Sequence, residues 1–566
     1  MQVSNEITVQ FAENPALLGV LADKDAPQLT IPDYATFQRN RANAPIRPMQ
    51  PIKAITYKDH PIARQVFDIV NQEYQRDYQQ ALRRFDIKKR EVDLLNSYPA
   101  NWAGYGQYLI DHFPQVIAHL GRVQAFPINE ESRRMHSYIT GGSGSGKSEY
   151  IKSLAWHYLT VDTSSAMIFL DPHHDVAKQI AQFKPNVDND RLVYFCPAIS
   201  YQVFPGLNPF DINDKGKLTD TEAEKIASEF FHALKEMLKE KDGDLSMYME
   251  TLLMNTLPVI VKMPETSIYN LIEFLQPKLK AQKDQPQQEY AAQRYIDFAH
   301  AHFENQELLN FLDGQFDHDS DFTRTRSSVT TRLRTIFGST LMQNLFSGNR
   351  TIRFEDLIPQ RKVIVFNLAN LDATTTSIVG RFILITLKIF ALNQAKLEKS
   401  ERKPCHAFVD ECHHFVTDSM DDILKDARKF MVFLTLAQQG AGQHPMKSTL
   451  FESILTNCAT KMAGVNSGNS LTVMAKEIGI PSETIGNFRK GQFALFQREA
   501  IPNTAVVRMP TNALDNTAQM HPLQWDAILA NQLERYYRPA KIRASTKQTV
   551  NNENDILAAD LDMYRN

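Results

Sequence analysis

Apolar positions along this chain fall into two spacings, and the alternation between them predicts the architecture. Short, nearly continuous apolar runs stand at 135–140, 166–170 and 191–196, and again at 362–368, 406–411, 430–436, 461–465 and 492–496. Runs of that length bounded by turn residues predict strands buried on both faces, and strands alternating with helical stretches predict a parallel sheet. The stretch 148–160 predicts the helix that follows the first run. Between 213 and 347 the spacing is helical throughout, with helices expected over 221–240, 247–261 and 267–275 and through Arg324, Arg326, Arg332 and Arg334. Ahead of all this, Ile62, Val66, Val70, Tyr74, Tyr78, Leu82, Phe85, Val92 and Leu95 mark one stripe of a long amphipathic helix that ends before Pro99. Its charged residues Arg83, Arg84, Lys88, Lys89 and Arg90 read as a solvated face. Residues 1–58 are proline-rich, with β-like runs at 6–11 and 28–31, and the chain turns polar after Pro539.

Between the first run and the first helix, Gly141-Gly-Ser-Gly-Ser-Gly-Lys-Ser148 completes a G-x-x-x-x-G-K-[ST] phosphate-binding loop in the strand–loop–helix setting that such a loop requires. Glycines allow backbone N–H groups to point at phosphates, and the helix N-terminus adds partial positive charge. The nucleotide-binding set is therefore Gly141, Gly142, Ser143, Gly144, Ser145, Gly146, Lys147, Ser148 and Glu149, with Lys147 against phosphate charge and Ser148 on Mg²⁺. A partner carboxylate is needed at the end of another strand. Asp410 closes the apolar run at 406–411 and is expected on Mg²⁺, with Glu411 as the base that activates water. A nucleoside triphosphate and Mg²⁺ are the cofactors this chemistry calls for. The expected fold is α/β: a RecA-like P-loop NTPase core with an all-α inserted domain and a helical N-terminal region. Its expected divisions are an N-terminal segment at 1–58, a helical region at 59–119, core halves at 120–212 and 348–510 around the insertion at 213–347, and a C-terminal segment and tail at 511–566.

Composition adds little. The 566 residues are 43% hydrophobic, enough for several domains, and the net charge of −3 carries no global nucleic-acid footprint. The run Phe382-Ile-Leu-Ile-Thr-Leu387 falls far short of a bilayer span, so a cytoplasmic protein with no transmembrane segment of its own is expected. Cys196, Cys405, Cys412 and Cys458 lack paired spacing and are expected reduced. His173-His174 and Cys412-His413-His414 follow two core strands and read as hydrogen-bonding or structural groups rather than as a metal site. The arginines at 324, 326, 332 and 334 make a basic helical face that would meet DNA phosphates or a neighbouring subunit's nucleotide, or else face solvent.

The ordered set GGSGSGKS, FLDPHHD, LNPFD, VTTRLRTIF, KVIVFNLA, FVDECHHF, DARKF and LTLAQQ resembles the FtsK/HerA superfamily, and within it the type IV conjugative coupling-protein branch of the TraG/TraD kind. That resemblance, which covers roughly residues 120–510, makes the nucleotide ATP and implies a ring ATPase, a homo-oligomer expected as a hexamer, that moves DNA, single- or double-stranded being left open, or sometimes DNA-bound protein, through a central pore, with a relaxase or a membrane channel component as a partner. It further implies that Gln439 senses the γ-phosphate and that Arg428 is the arginine finger offered to a neighbouring subunit; as an ordinary residue, Arg428 would instead satisfy a helix end. Membrane-bound members of the branch carry N-terminal transmembrane helices not seen here. Two other functions therefore stay open: a secretion or pilus motor that does not grip DNA, and a defence ATPase that scaffolds an effector.

Overall fold

The computed structural model describes residues 6–8, 134–188, 190–238, 245–278, 290–415, 424–425, 427–441, 448–498, 503–509, 514–515 and 518–540. The expected helix before Pro99, its basic cluster, the run at 28–31 and the polar tail lie outside the described residues. Strands in chain order are β1 (Glu6–Thr8), β2 (His136–Thr140), β3 (Ala166–Asp171), β4 (Leu192–Phe195), β5 (Val203–Pro205), β6 (Val363–Asn367), β7 (Cys405–Val409), β8 (Val432–Gln438), β9 (Cys458–Ala463), β10 (Gln492–Gln497), β11 (Thr504–Arg508) and β12 (Tyr537–Pro539). The chain divides into two compact units, one comprising Arg134–Tyr138, Ile151–Cys458 and Leu514–Asn566, the other Met1–Arg133, Ile139–Tyr150 and Ala459–Ala513.

In the first unit, β8, β7, β3, β6 and β4 lie side by side in that order, every pair parallel. All their residues are buried, which is why their sequences run apolar without alternation. The registers Leu170↔Val409 and Asp171↔Asn367 align the C-terminal ends of β3, β7 and β6 along one edge. At the opposite edge the buried Arg191 guanidinium donates to the carbonyls of Tyr158, Ser165 and Arg361, each at 2.7 Å, and so ties together three segments. The outer strand β4 is closed by side chains rather than by another strand. Gln532, on the helix Pro522–Tyr536, accepts from the Tyr194 amide at 2.9 Å and donates to the Leu192 carbonyl at 3.1 Å. The Tyr537 hydroxyl donates to the Tyr194 carbonyl and accepts from the Cys196 amide. Such cover removes the unpaired backbone that an exposed edge would present.

One helix among the described residues, Ala373–Gln394, is long and apolar enough to cross a membrane by length and composition. Its most apolar window is 83% buried inside this unit, where it packs as a core helix. In the second unit β9, β10 and β11 form an antiparallel series, and β1 adds to β11 in parallel through Glu6↔Val506. The apolar spacing had not singled out β5, β11 or β12, which are short and only partly buried.

Between β5 and β6 the described chain is helical, including Asp220–Leu238, Met247–Lys262 and Ser320–Phe337. Here the expected basic face needs correcting. Arg326 is only 1% exposed and lies on the inward stripe with Phe322, Val329, Leu333 and Phe337. Its guanidinium pairs with Asp317 at 2.6 Å, donates to the carbonyls of Leu275, Phe316 and Gln276 and to the Tyr290 hydroxyl, and stacks 4.0 Å over the Phe316 ring. Arg332 bonds to the Leu238 carbonyl at 2.6 Å, while Arg324 and Arg334 stay exposed. A charge so enclosed is tolerated only because every donor is used, and removing it strands Asp317 and several carbonyls. Arg326→Ala should therefore lower unfolding free energy by about 3–5 kcal/mol. Chemical denaturation checks this, and the salt dependence of any polyanion binding should stay as in the wild type.

Candidate nucleotide site

The phosphate loop is built where β2 hands the chain to the helix Lys147–Thr160. Gly144 and Gly146 hold φ of +76° and +108°, the left-handed region that a side chain resists. The loop is packed as well as bent. A Cβ on Gly141 would meet Ser145 Oγ at 2.5 Å, and one on Gly464 would meet the Phe493 ring at 2.9 Å and Ser145 Cβ at 3.0 Å. The Gly142 amide donates to the Val465 carbonyl at 2.9 Å, and the Gly491 amide donates to the Ser145 carbonyl at 2.8 Å. Segments more than 300 residues downstream thus set the shape of the loop. Gly464 and Gly491 are supporting positions that sequence reasoning missed, although each glycine borders a recognisable strand. Lys147 is buried, with its Nζ donating to the Gly141 carbonyl at 2.6 Å; Ser148 and Glu149 stand half-buried in the first helical turn, and Ser143 is exposed.

The carboxylates belong to the other unit. β7 stops at Val409, so Asp410 and Glu411 lie in the turn beyond it rather than in the strand. The Asp410 amide still donates to the Leu170 carbonyl at 3.0 Å, which extends the ladder with β3 by one bond and seats the residue at the C-terminal edge. Its Oδ1 accepts from the Glu411 amide at 3.0 Å. Glu411 adopts φ +44°, and its Oε2 lies 3.5 Å from His413 Nδ1. The neighbouring acid Asp171 is committed locally: it accepts from the amides of His173 and Ala177 at 2.7 and 2.9 Å, while burial pushes its pKa up. At the end of β6, Asn367 bonds His174 Nδ1 and the Tyr194 hydroxyl. Burial holds the His414 pKa below the usual imidazole value, against the opposing Glu411 charge. Among the described residues no cluster of three His, Cys, Asp or Glu has metal-binding spacing.

β8 ends at Gln438, which is fully buried, and Gln439 follows it exposed. Arg428 is exposed on the short turn Ala427–Phe430 that precedes β8. Because β7 and β8 are parallel with Cys405↔Val432 in register, Arg428 sits at the N-terminal edge of the sheet and Glu411 at the C-terminal edge. About 15 Å of strand separates those edges, beyond the reach of one arginine side chain. Arg428 cannot serve the Glu411 of its own chain.

A buried parallel sheet, a glycine-built phosphate loop between strand and helix, and an Asp-Glu pair at the end of a sheet strand define a RecA-like P-loop NTPase fold. Among solved structures, the plasmid coupling protein TrwB in complex with the ATP analogue ADPNP aligns with 70% of this chain and 89% of its own, at 14% identity and a TM-score of 0.50. The TrwB complex with the GTP analogue GDPNP gives the same figures. VirB4 of Thermoanaerobacter pseudethanolicus aligns with 72% of this chain and 96% of its own, at 14% identity and a TM-score of 0.43. No protein-family model and no curated relative matches the sequence. The likeness to TrwB is one of fold.

Arg428 also has an electrostatic consequence at home. His136, fully enclosed at the start of β2, accepts from the Leu434 amide through Nδ1 at 2.9 Å. Burial first, and the Arg428 charge second, lower its pKa to about 4. An unfolded chain takes up this proton below about pH 6.5, whereas the folded chain resists until about pH 4. Stability should be complete above pH 6.5 and fall by about 3 kcal/mol as pH drops through that window. His136→Asn, which keeps an acceptor near Nδ1, should flatten this part of the acid limb in denaturation series, and Arg428→Ala should move it towards lower loss.

Proposed function

We propose that this chain is an ATP-driven, oligomeric DNA translocase of the coupling-protein type, acting in conjugative transfer or mobilisation. The observation that carries the reading is the phosphate loop, complete in sequence and bent through two left-handed glycines, within a fold like that of the nucleotide-bound coupling protein TrwB. In this reading Gly141 to Glu149 hold the triphosphate, Lys147 neutralises its charge, and Ser148 and Asp410 bind Mg²⁺. Glu411 activates water, and Gln439 reports the γ-phosphate. Bound there, Mg²⁺ would supply charge neutralisation to the triphosphate. The sheet-edge argument supports a role for Arg428 in trans, since an arginine at the opposite edge can complete a site only on another copy. That in turn favours a ring. The DNA substrate and the conjugative role rest on the ordered motif set.

Lys147→Ala should abolish nucleotide binding or turnover, whereas Glu411→Gln should retain binding and lose hydrolysis. Calorimetry and phosphate release distinguish these outcomes, and wild-type turnover in Glu411→Gln would remove it as the base. Arg428→Ala should keep ATP binding and oligomer mass yet lose about 10³–10⁵ in rate, the usual worth of such a finger. Mixing in Glu411→Gln subunits, which carry an intact Arg428, should restore part of that rate.

DNA should stimulate hydrolysis without sequence preference, because a translocating ring must hold the backbone rather than commit to bases. Affinity should fall on the order of 10²- to 10⁵-fold between low and moderate salt. Anisotropy titrations with single- and double-stranded oligonucleotides across a salt series, run beside ATPase assays, provide the measurement. An intact oligomer that hydrolyses ATP but neither binds nor responds to DNA would favour the secretion-motor or defence-scaffold function.

A further inference from the structure

The residue that ends β8 makes contacts that the nucleotide chemistry assigned above does not require. Gln438 is completely buried, and a buried amide is costly unless both of its ends are bonded. Both are: Nε2 donates to the Tyr138 hydroxyl on β2, and Oε1 accepts from the Cys412 thiol, with the sulfur 3.5 Å away. Only this amide orientation gives the thiol an acceptor. Cys412 and Tyr138 are themselves fully buried. Cys412 directly follows Glu411, whose left-handed backbone costs free energy and persists only where its surroundings impose it.

The same turn is gripped from its other side. Phe415 lies so close over Gly380 that a Cβ there would come within 2.2 Å of the ring, and Ser377 Oγ donates to the His414 carbonyl at 2.8 Å. The helix Ala373–Gln394 therefore holds the far end of the turn, and Gln438 holds the end next to Glu411. Tyr138 stands two residues before Thr140, with which β2 ends ahead of the phosphate loop. Of two successive glutamines, the first is buried and the next exposed.

We propose that Gln438 is a positioning residue: its bonds to Cys412 and Tyr138 hold the turn that presents Glu411 in register with β2 and β8. The inference rests on the ATPase reading of Glu411. Loss of the relay leaves the nucleotide-holding groups in place and misplaces the base, so it lowers kcat without weakening ATP binding.

The test compares Gln438→Leu, Tyr138→Phe, Cys412→Ala and Cys412→Ser in the full chain, with ATP turnover, ADPNP affinity and thermal unfolding measured on each. Gln438→Leu and Cys412→Ala should each lower kcat about 10-fold or more, the usual cost of removing a supporting contact behind a reacting group. KM for ATP and ADPNP affinity should stay within about twofold of the wild type. Cys412→Ser, which keeps a donor, should recover most of the rate, and the double variant Gln438→Leu/Cys412→Ala should be no slower than the worse single one. Unchanged kcat in folded variants, a rise in KM alone, failure of serine to rescue, or multiplicative losses in the double variant would each overturn the relay. If Gln438→Leu does not fold, the alanine–serine pair at Cys412 decides. A wild type that hydrolyses no nucleotide overturns the ATPase reading and the relay together, whereas an active wild type with indifferent variants overturns the relay alone.

Discussion

A parallel sheet buried on both faces has no place for charge except the ends of its strands. That constraint shapes the larger unit of this protein. Along β3, β4, β6, β7 and β8 every side chain is enclosed, so polar groups collect where the strands stop: Asp171, Asn367, Asp410 and Gln438 at one edge, Arg191 at the other. Each of these terminal groups is satisfied by a different device. Asp171 accepts two backbone amides, Asn367 bridges a histidine and a tyrosine, and Arg191 gathers three carbonyls. Asp410 and Glu411 lie in a turn that neighbouring elements hold from both sides, through the Gln438–Cys412 bond and the Ser377–His414 bond.

The same accounting governs arginines. Arg326 and Arg428 each stand on a helical stretch with another basic residue close by in sequence. Arg326 is surrounded by acceptors and an aromatic ring and acts as a bolt inside the helical part. Arg428 stays exposed at a sheet edge, and its charge is felt at buried His136. Burial, rather than residue type, separates the enclosed cation from the exposed one.

The phosphate loop follows a related logic. Its glycines answer two demands, one torsional and one steric. Gly144 and Gly146 supply backbone angles, whereas Gly141, together with Gly464 from β9's end, supplies clearance for Ser145 and Phe493. The first demand belongs to the loop itself; the second is imposed by what packs against it.

Local order was therefore largely legible. The eight apolar runs coincide with β2, β3, β4, β6, β7, β8, β9 and β10 to within a few residues, because full burial leaves a continuous apolar signal. The places of the phosphate loop and the Asp-Glu pair were readable for the same reason, since each follows directly on a buried strand. The inward position of Arg326 was implicit in its spacing from Phe322, Val329 and Leu333, yet its charge concealed it. Only the tertiary structure could decide the rest. Closure of β4 by Gln532 and Tyr537, the packing of the loop by Gly464 and Gly491, and the union of Tyr138 with Gln438 and Cys412 join residues far apart in the chain, while the parallel pairing of β7 and β8 sets Arg428 and Glu411 at opposite edges. Spacing along a sequence records which face a residue turns inward; it carries no record of what it will meet there.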